Sequence, residues 1–475
     1  MRNRKMLIGC AALLVCGTVC ADLADYVDPF VGTSATGHTF PGACVPFGMV
    51  QASPDGGTES WHYCSGYRYE DREIKGFSQT HLNGTGGCEL GDVRILPFAG
   101  ERYGFSEKID KGTETAKPGY YAVTLTDSSV RAEVTASERA AIYRFTFEKG
   151  AEAHLLVDTQ WGIVNGGNLA KYVLKSSLTV EGRTRVVGWK RTHNWNLRET
   201  GFAVEFDRPL KTYRKLIKTD AKEGGERYVF DFDLKDGETL MVKVGLSCKS
   251  TDAARKNLAA EIPSWDFDAV KDAARQKWNE VLGAAVIEGT DEQKKNWYTS
   301  LYHLCIQPNN IANCGSKSFY STFSCWDTFR AAGPLYTILY PEKAAEFVDS
   351  MLEQGKKTGY LPIWTLWGTD NQCMIGTHSV PMIVDWFLKS GEAVSRPLQN
   401  KEGSSSVTSG QETASPLYWE SAYQQIKETL TKKHEGRIKE NWDLYDQYGY
   451  YPFDKIRGES VSRTMECAYD DWCAG

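Results

Sequence analysis

From about residue 22 to residue 250, apolar and polar positions alternate in short runs broken by Gly, Asp and Asn. Tyr120–Thr126, Ala141–Phe147, His154–Val157, Tyr228–Phe232 and Leu240–Leu246 have the two-residue period of half-buried strands, and Val93–Phe98 has strand composition. Many strands with no helical period between them predict a β-sandwich. From Asp252 the period changes. Trp265–Leu282 carries apolar residues at helical spacing with Gly283 just beyond its end, which predicts a helical linker. Further helices are predicted over Gln293–Cys305, Trp326–Ala332, Glu342–Gln354, Val380–Leu388 and Ser421–Lys433, with another near Val461. Pro341 and Pro381 fall near helix starts, where a missing amide hydrogen costs little, and Ser379 is a candidate N-cap. Residues 401–416 are low in complexity and read as a surface loop.

The chain of 475 residues is long enough for two or three cores. Its net charge of −6 carries no footprint for nucleic acid. The 14 Trp and 24 Tyr suit stacking on the apolar faces of pyranose rings, although core packing accounts for many of them equally well. Residues 1–21 have the layout of a secretory leader: Arg2, Arg4 and Lys5, then an apolar run, then Val19-Cys-Ala21. The run is short for a transmembrane span and no later segment supplies one. A secreted or periplasmic protein is therefore expected, with lipid anchoring at a bacterial surface as a weaker variant. Ten cysteines follow residue 21, too dispersed for a small-scaffold framework, so buried free thiols are expected for most. His62, Cys64, His81 and Cys88 fit none of the usual zinc spacings.

Gly76-Phe-Ser-Gln-Thr-His-Leu-Asn-Gly-Thr-Gly-Gly-Cys-Glu-Leu-Gly-Asp92 is the most chemical stretch of the chain. Glycines here allow close backbone approach, with His81, Cys88, Glu89 and Asp92 around them; a plain turn between strands is the structural alternative. No Lys-Ser or Lys-Thr follows the glycines and no βαβ pattern surrounds them, which excludes a P-loop or dinucleotide site. Carboxylates that could serve acid-base chemistry are Asp327, Asp370, and the adjacent Asp470 and Asp471. The last two project about 100° apart on a helix, so one at most can face a cleft. Asp327 can instead pair with Arg330.

Read together, several strings have a fixed order. They are Tyr26-Val-Asp-Pro-Phe-Val-Gly-Thr33, His38-Thr-Phe-Pro-Gly-Ala43, Pro46-Phe-Gly-Met-Val50, Ser53-Pro-Asp-Gly56 and the glycine-rich stretch. Tyr320-Ser-Thr-Phe-Ser-Cys-Trp-Asp-Thr-Phe-Arg330, Cys373-Met-Ile-Gly-Thr-His-Ser-Val380 and Glu459-Ser-Val-Ser-Arg-Thr-Met-Glu-Cys-Ala-Tyr-Asp-Asp-Trp472 follow. In this order they resemble glycoside hydrolase family 92, calcium-dependent exo-acting α-mannosidases, from about Tyr26 to Trp472.

The resemblance implies an N-terminal β-sandwich over residues 22–250, a helical linker over 251–290 and an (α/α)6 barrel from 291. It implies an inverting, calcium-dependent removal of terminal mannose, mostly α-1,2-linked, from mannose-containing glycans. About half of twelve helices fit after Asp291, so a partial barrel and a truncated chain are expected. The family's acid and base strings, resembling Glu-Gly-Asn-x-Trp-Gln and Gly-Asn-Asp-x-x-Gly-Gln, do not occur in this sequence. No residue can therefore be assigned a proton-transfer role, and the metal ligands are unknown. The resemblance leaves Trp61, His81, Trp326, Asp327, Arg330, Asp370, Asn371, His378, Asp470 and Asp471 as candidates for touching mannose or shaping its cleft. A non-catalytic mannose-binding fragment is the alternative reading.

Overall fold

The structure is a computed structural model that describes residues 22–57, 60–101, 105–149, 152–164, 172–216, 224–394, 416–436 and 441–475. The leader read from residues 1–21 and nearly all of the low-complexity stretch lie outside them. The alternating half forms two large antiparallel sheets. A seven-stranded sheet runs Ala43–Cys44, Gln51–Asp55, Gly76–Ser78, Arg94–Ala99, Ala153–Asp158, Arg227–Phe232, Thr212–Lys215 from edge to edge. A nine-stranded sheet runs Val173–Glu181, Arg185–His193, Leu197–Phe206, Thr239–Ser247, Ala140–Phe147, Val130–Ala136, Tyr120–Leu125, Glu107–Lys117, Glu73–Ile74.

The two-residue period decides which face each side chain occupies. Leu155 and Val157, with Ile95, Phe230 and Phe232, meet Tyr121, Val123, Tyr143, Phe145, Val204 and Val242 of the other sheet in one core. Leu96, Phe98, Leu156 and Val229, one residue out of step, form a second small cluster on the opposite face. Ala140, Ile142, Val187, Ala203 and Met241 point away from the shared core and are covered by helices α1 (Thr251–Glu261) and α2 (Phe267–Leu282) through Leu258, Ile262 and Phe267. The linker is thus packed against the sheet.

The remaining helices are α3 (Asp291–Leu304), α4 (Cys325–Thr328), α5 (Ala332–Leu339), α6 (Pro341–Thr358), α7 (Ser379–Val394), α8 (Pro416–Thr431), α9 (Trp442–Tyr448) and α10 (Ser460–Ala474). Local chemistry explains most of the ends. A Thr290–Gln293 capping box starts α3, Pro341 opens α6, and Gly359 closes α6 in the left-handed region. Two expectations are corrected. The helix predicted over Trp326–Ala332 is broken into α4 and α5. Ser379 is the first helical residue of α7, so it does not act as the N-cap.

A mixed core joins the halves: Trp278, Tyr302, Phe323, Phe347 and Ile383 pack with Leu23, Phe40 and Phe47 of the N-terminal segment. The Trp278 ring lies 4.5 Å from Tyr302, and its Nε1 donates to the Cys44 carbonyl at 2.7 Å. Among the described residues no helix is long and apolar enough to cross a membrane.

Inside the sheets lies a dry ionic cluster. Asp92 accepts from Arg198 and from the Thr80 hydroxyl, and Lys190 approaches it at 3.2 Å. Burial raises the carboxyl pKa, but Arg198 and Lys190 outweigh it and hold Asp92 down at about 2. The folded value lies below the ordinary 3.8, so the stabilisation is present above that value and is lost as pH falls from 3.8 toward 2. Asp92→Asn leaves Lys190 without its carboxylate and Arg198 with Glu89 alone, one buried positive charge in excess, and should cost about 3–5 kcal/mol at pH 7. Urea unfolding at pH 7 and near pH 2 checks this: the gap between the two proteins should narrow in acid, and a pH-independent gap would contradict it.

Candidate functional site

A cleft of about 410 Å³ opens where the two halves meet. The sheet side contributes the glycine-rich turn, residues 83–87, and Trp195; the helical side contributes Thr322, Phe323, Ser324, Asp327, Trp364 and Met374. Trp195 sits in the turn between the strands Arg185–His193 and Leu197–Phe206. An added Cβ at Gly87 would stand 1.5 Å from the Trp195 ring, so only glycine lets the two surfaces approach this closely. The neighbours of Trp195 fix that turn: Asn194 Nδ2 donates to the Cys88 carbonyl, and Asn196 Nδ2 donates to the carbonyls of Leu366 and Thr369 across the domain boundary.

Of the two readings of the glycine-rich stretch, chemistry or a plain turn, Glu89 and Asp92 follow the second: they hold this turn. Arg198 bonds both carboxylates, Glu89 Oε2 accepts from the Trp195 amide at 3.2 Å, and Tyr172 donates to the Leu90 carbonyl at 3.0 Å. Burial pushes the Glu89 carboxyl upward, only partly offset by Arg198. The cluster is sealed from the cleft.

On the helical side, Asp370 accepts backbone hydrogen bonds at 3.0 Å from Ile363, Trp364 and Gln372. These bonds close the Trp364–Leu366 and Thr369–Asp370 hairpin and present Trp364, whose ring meets Trp195 edge-on at 5.5 Å. Asp370 therefore positions an aromatic wall. Asn371 Oδ1 accepts from the Cys373 amide at 2.8 Å and steadies the next turn.

Asp327 lines the cleft on α4, exposed, with the Ser324 hydroxyl donating to its Oδ2. Its expected partner is elsewhere: Arg330 donates to Glu466 Oε1 at 2.6 Å. Three residues along this short, broken helix do not bring the two together, which leaves the carboxylate open to the cleft. Trp326 also turns toward Glu466 and borders an adjoining cavity that shares Cys373 and Met374 with the cleft.

His378 and Asp470 meet in the interior, Nδ1 to Oδ1 at 2.8 Å, with the imidazole stacked on Phe329 at 4.0 Å. Asp470 Oδ2 also accepts from the Thr377 amide. Burial raises the Asp470 carboxyl, with His378 opposing. Asp471 points outward and accepts from the Tyr445 hydroxyl at 2.8 Å, as the angle between adjacent helical residues requires. His81 is fully buried, held by the Gln51 carbonyl at 2.7 Å and Asp55 at 2.8 Å. Trp61 is half exposed at the cleft edge; its Nε1 donates to the Gly86 carbonyl at 2.6 Å.

Of the ten candidates, then, Asp327 lines the cleft, Trp61 stands at its edge, Trp326 borders the adjoining cavity, and His81, His378 and Asp470 are locked in the interior. Sequence reasoning missed Trp195, Trp364 and Gln307. It also read Asn83 only as part of a turn. Asn83 Oδ1, Gln307 Nε2 and Thr322 Oγ1 are buried polar atoms of cleft-lining residues with no partner among the described residues. Buried polar atoms are nearly always paired, so an acceptor, a donor and a hydroxyl left unpaired on residues that line a cleft with two indole rings suit a polyhydroxylated ligand with apolar ring faces.

The sequence profile of the glycosyl hydrolase family 92 N-terminal domain matches residues 26–247, and that of the family 92 catalytic domain matches residues 253–475. A family 92 α-mannosidase from Bacteroides thetaiotaomicron, solved in complex with mannoimidazole, is 30% identical with a TM-score of 0.82 over 95% of this chain and 60% of its own. A family 92 inverting mannosidase from the same organism is 26% identical with a TM-score of 0.79 over 95% of this chain and 61% of its own. An uncharacterized secreted glycosidase of Arthroderma benhamiae is 24% identical over 96% of this chain and 59% of its own length. The chain thus spans about 60% of the length of these relatives. With the two family domains matched in succession along nearly all of it, the chain belongs to glycosyl hydrolase family 92.

Proposed function

We propose that this protein acts on mannose-containing glycans as an α-mannosidase, removing terminal α-linked mannose, with α-1,2 bonds as the first substrate to try. The unpaired buried polar atoms of Asn83, Gln307 and Thr322, on residues that line one cleft with Trp195, Trp364 and Asp327, carry the reading. Vicinal hydroxyls want a carboxylate acceptor and amide partners, while the less polar face of a pyranose wants an indole. Asp327 would accept from sugar hydroxyls, and its own hydrogen bond from Ser324 would hold its orientation. The relatives named above support mannose as the sugar. Export rests on the leader-like residues 1–21, and the helical half is proposed to be part of an (α/α)6 barrel.

Inverting hydrolysis requires two carboxyl groups about 6.5–9.5 Å apart, one donating a proton to the leaving oxygen and one activating water. Among the described residues lining the cleft, Asp327 is the only carboxylate. That observation favours a second reading for these 475 residues taken alone: mannose binding without turnover. Calcium belongs to the proposal only through the resemblance. Among the described residues no three His, Cys, Asp or Glu side chains converge as a metal site, and the carboxylates of Asp370 and Asp470 are already occupied by backbone amides.

On this second reading the 475-residue chain should release no mannose from α-1,2-mannobiose in the presence of calcium, whereas the first reading requires release. Turnover comparable to that of a family 92 α-mannosidase would refute the binding-only reading. Binding of methyl α-mannoside by calorimetry should survive, and Asp327→Asn should weaken it about tenfold or more, since a hydrogen bond to a charged group contributes roughly 1.5–3 kcal/mol. Unchanged affinity with a lowered melting temperature would reassign Asp327 to the scaffold. Gly87→Ala should displace the Trp195 ring at a cost of about 1–3 kcal/mol and abolish mannoside binding. A variant that binds normally would show that the Gly87–Trp195 contact does not shape the site.

A further inference from the structure

Ten cysteines are described, and their thiols differ in what they face. Cys44 lies 3.9 Å from the Tyr302 hydroxyl, Cys248 points at the Ile311 carbonyl, and Cys325 at the Pro362 carbonyl. Cys64 and Cys88 face each other. Their sulfurs are 3.5 Å apart in a small buried cluster closed by Ile163. Cys64 ends the one-turn helix Trp61–Tyr63, and Cys88 ends the glycine run 84–87 that lines the cleft.

We propose that Cys64 and Cys88 form a disulfide that fastens the Trp61 turn to the glycine-rich edge of the cleft. Closing two thiols at 3.5 Å to a bond of about 2.05 Å takes a shift of about 1.5 Å, within the reach of χ1 rotation at two side chains. The same two segments are already joined once, by the Trp61 indole and the Gly86 carbonyl, so the backbones on either side of the sulfurs are held together. The bond would make that junction covalent. Burial of both sulfurs means that it forms as the chain folds, while the thiols are still reachable.

The oxidant is a disulfide of a thiol-exchange protein in the exported compartment, for which oxidised glutathione stands in vitro. The Cys88 thiolate attacks one sulfur of that disulfide and expels a thiolate, giving a mixed disulfide. The Cys64 thiol loses its proton to solvent, attacks the Cys88 sulfur and expels the second thiolate. Two protein thiols are oxidised and one external disulfide is reduced to two thiols.

The test uses the full chain in two preparations, one secreted to an oxidising compartment and one unfolded in guanidinium and refolded in a glutathione redox buffer. Each is unfolded again without reductant, alkylated with iodoacetamide and digested. We expect a linked pair of peptides, one with Cys64 and one with Cys88, two hydrogens lighter than their sum, while Cys44, Cys305 and Cys325 are alkylated. In Cys64→Ser, Cys88 should become fully alkylated. Recovery of both Cys64 and Cys88 as alkylated thiols in either preparation, or a link from either to another cysteine, would overturn the proposal.

Discussion

One guanidinium holds the cleft together. Arg198 is shared by Glu89 and Asp92, two carboxylates that flank the end of the glycine-rich stretch, and all three side chains are sealed from water. In that dry setting the charges are worth far more together than apart, and none can be removed singly without leaving its partner unbalanced. Glu89, held in this way, accepts from the Trp195 amide. The glycine turn and the Trp195 turn are therefore one unit, and the cleft wall on the sheet side follows from it.

The helical side repeats the device with different chemistry. Asp370 uses both oxygens on backbone amides and so sets the strand that carries Trp364. Asn196 then links the two walls by donating to Leu366 and Thr369, and the indoles of Trp195 and Trp364 meet edge to face. The residues most exposed to a ligand are thus supported by buried polar groups that never touch it. This division explains why a list of acidic residues near conspicuous glycines finds the supports more easily than the contacts.

His378, Asp470, Glu466 and Arg330 form a third support, between α4, α7 and α10. Glu466 takes Arg330 away from Asp327, and the consequence reaches the cleft: Asp327 keeps an open oxygen where a local ion pair would have closed it. The Arg198 and His378 supports join elements far apart in sequence, and Asn196 ties the local Asp370 hairpin to the sheet side, so the cleft forms only when both halves have packed.

Much of the fold was legible in one dimension because its causes are local. Alternation marked the strands, helical spacing with Gly283 and Pro341 marked the helices, and the 100° step of a helix separated Asp470 from Asp471. The glycine-rich stretch announced close backbone approach, and Gly87 against Trp195 is that approach. Which carboxylate would be free was not legible. Arg198 bonds Asp92 across 106 residues and Arg330 bonds Glu466 across 136, distances over which sequence spacing carries no geometry. Trp195, Gln307 and Trp364 carry no local signal either. They become a site only when packing brings them to one point and leaves polar atoms there unpaired, because burial and the competition for partners are properties of the folded whole.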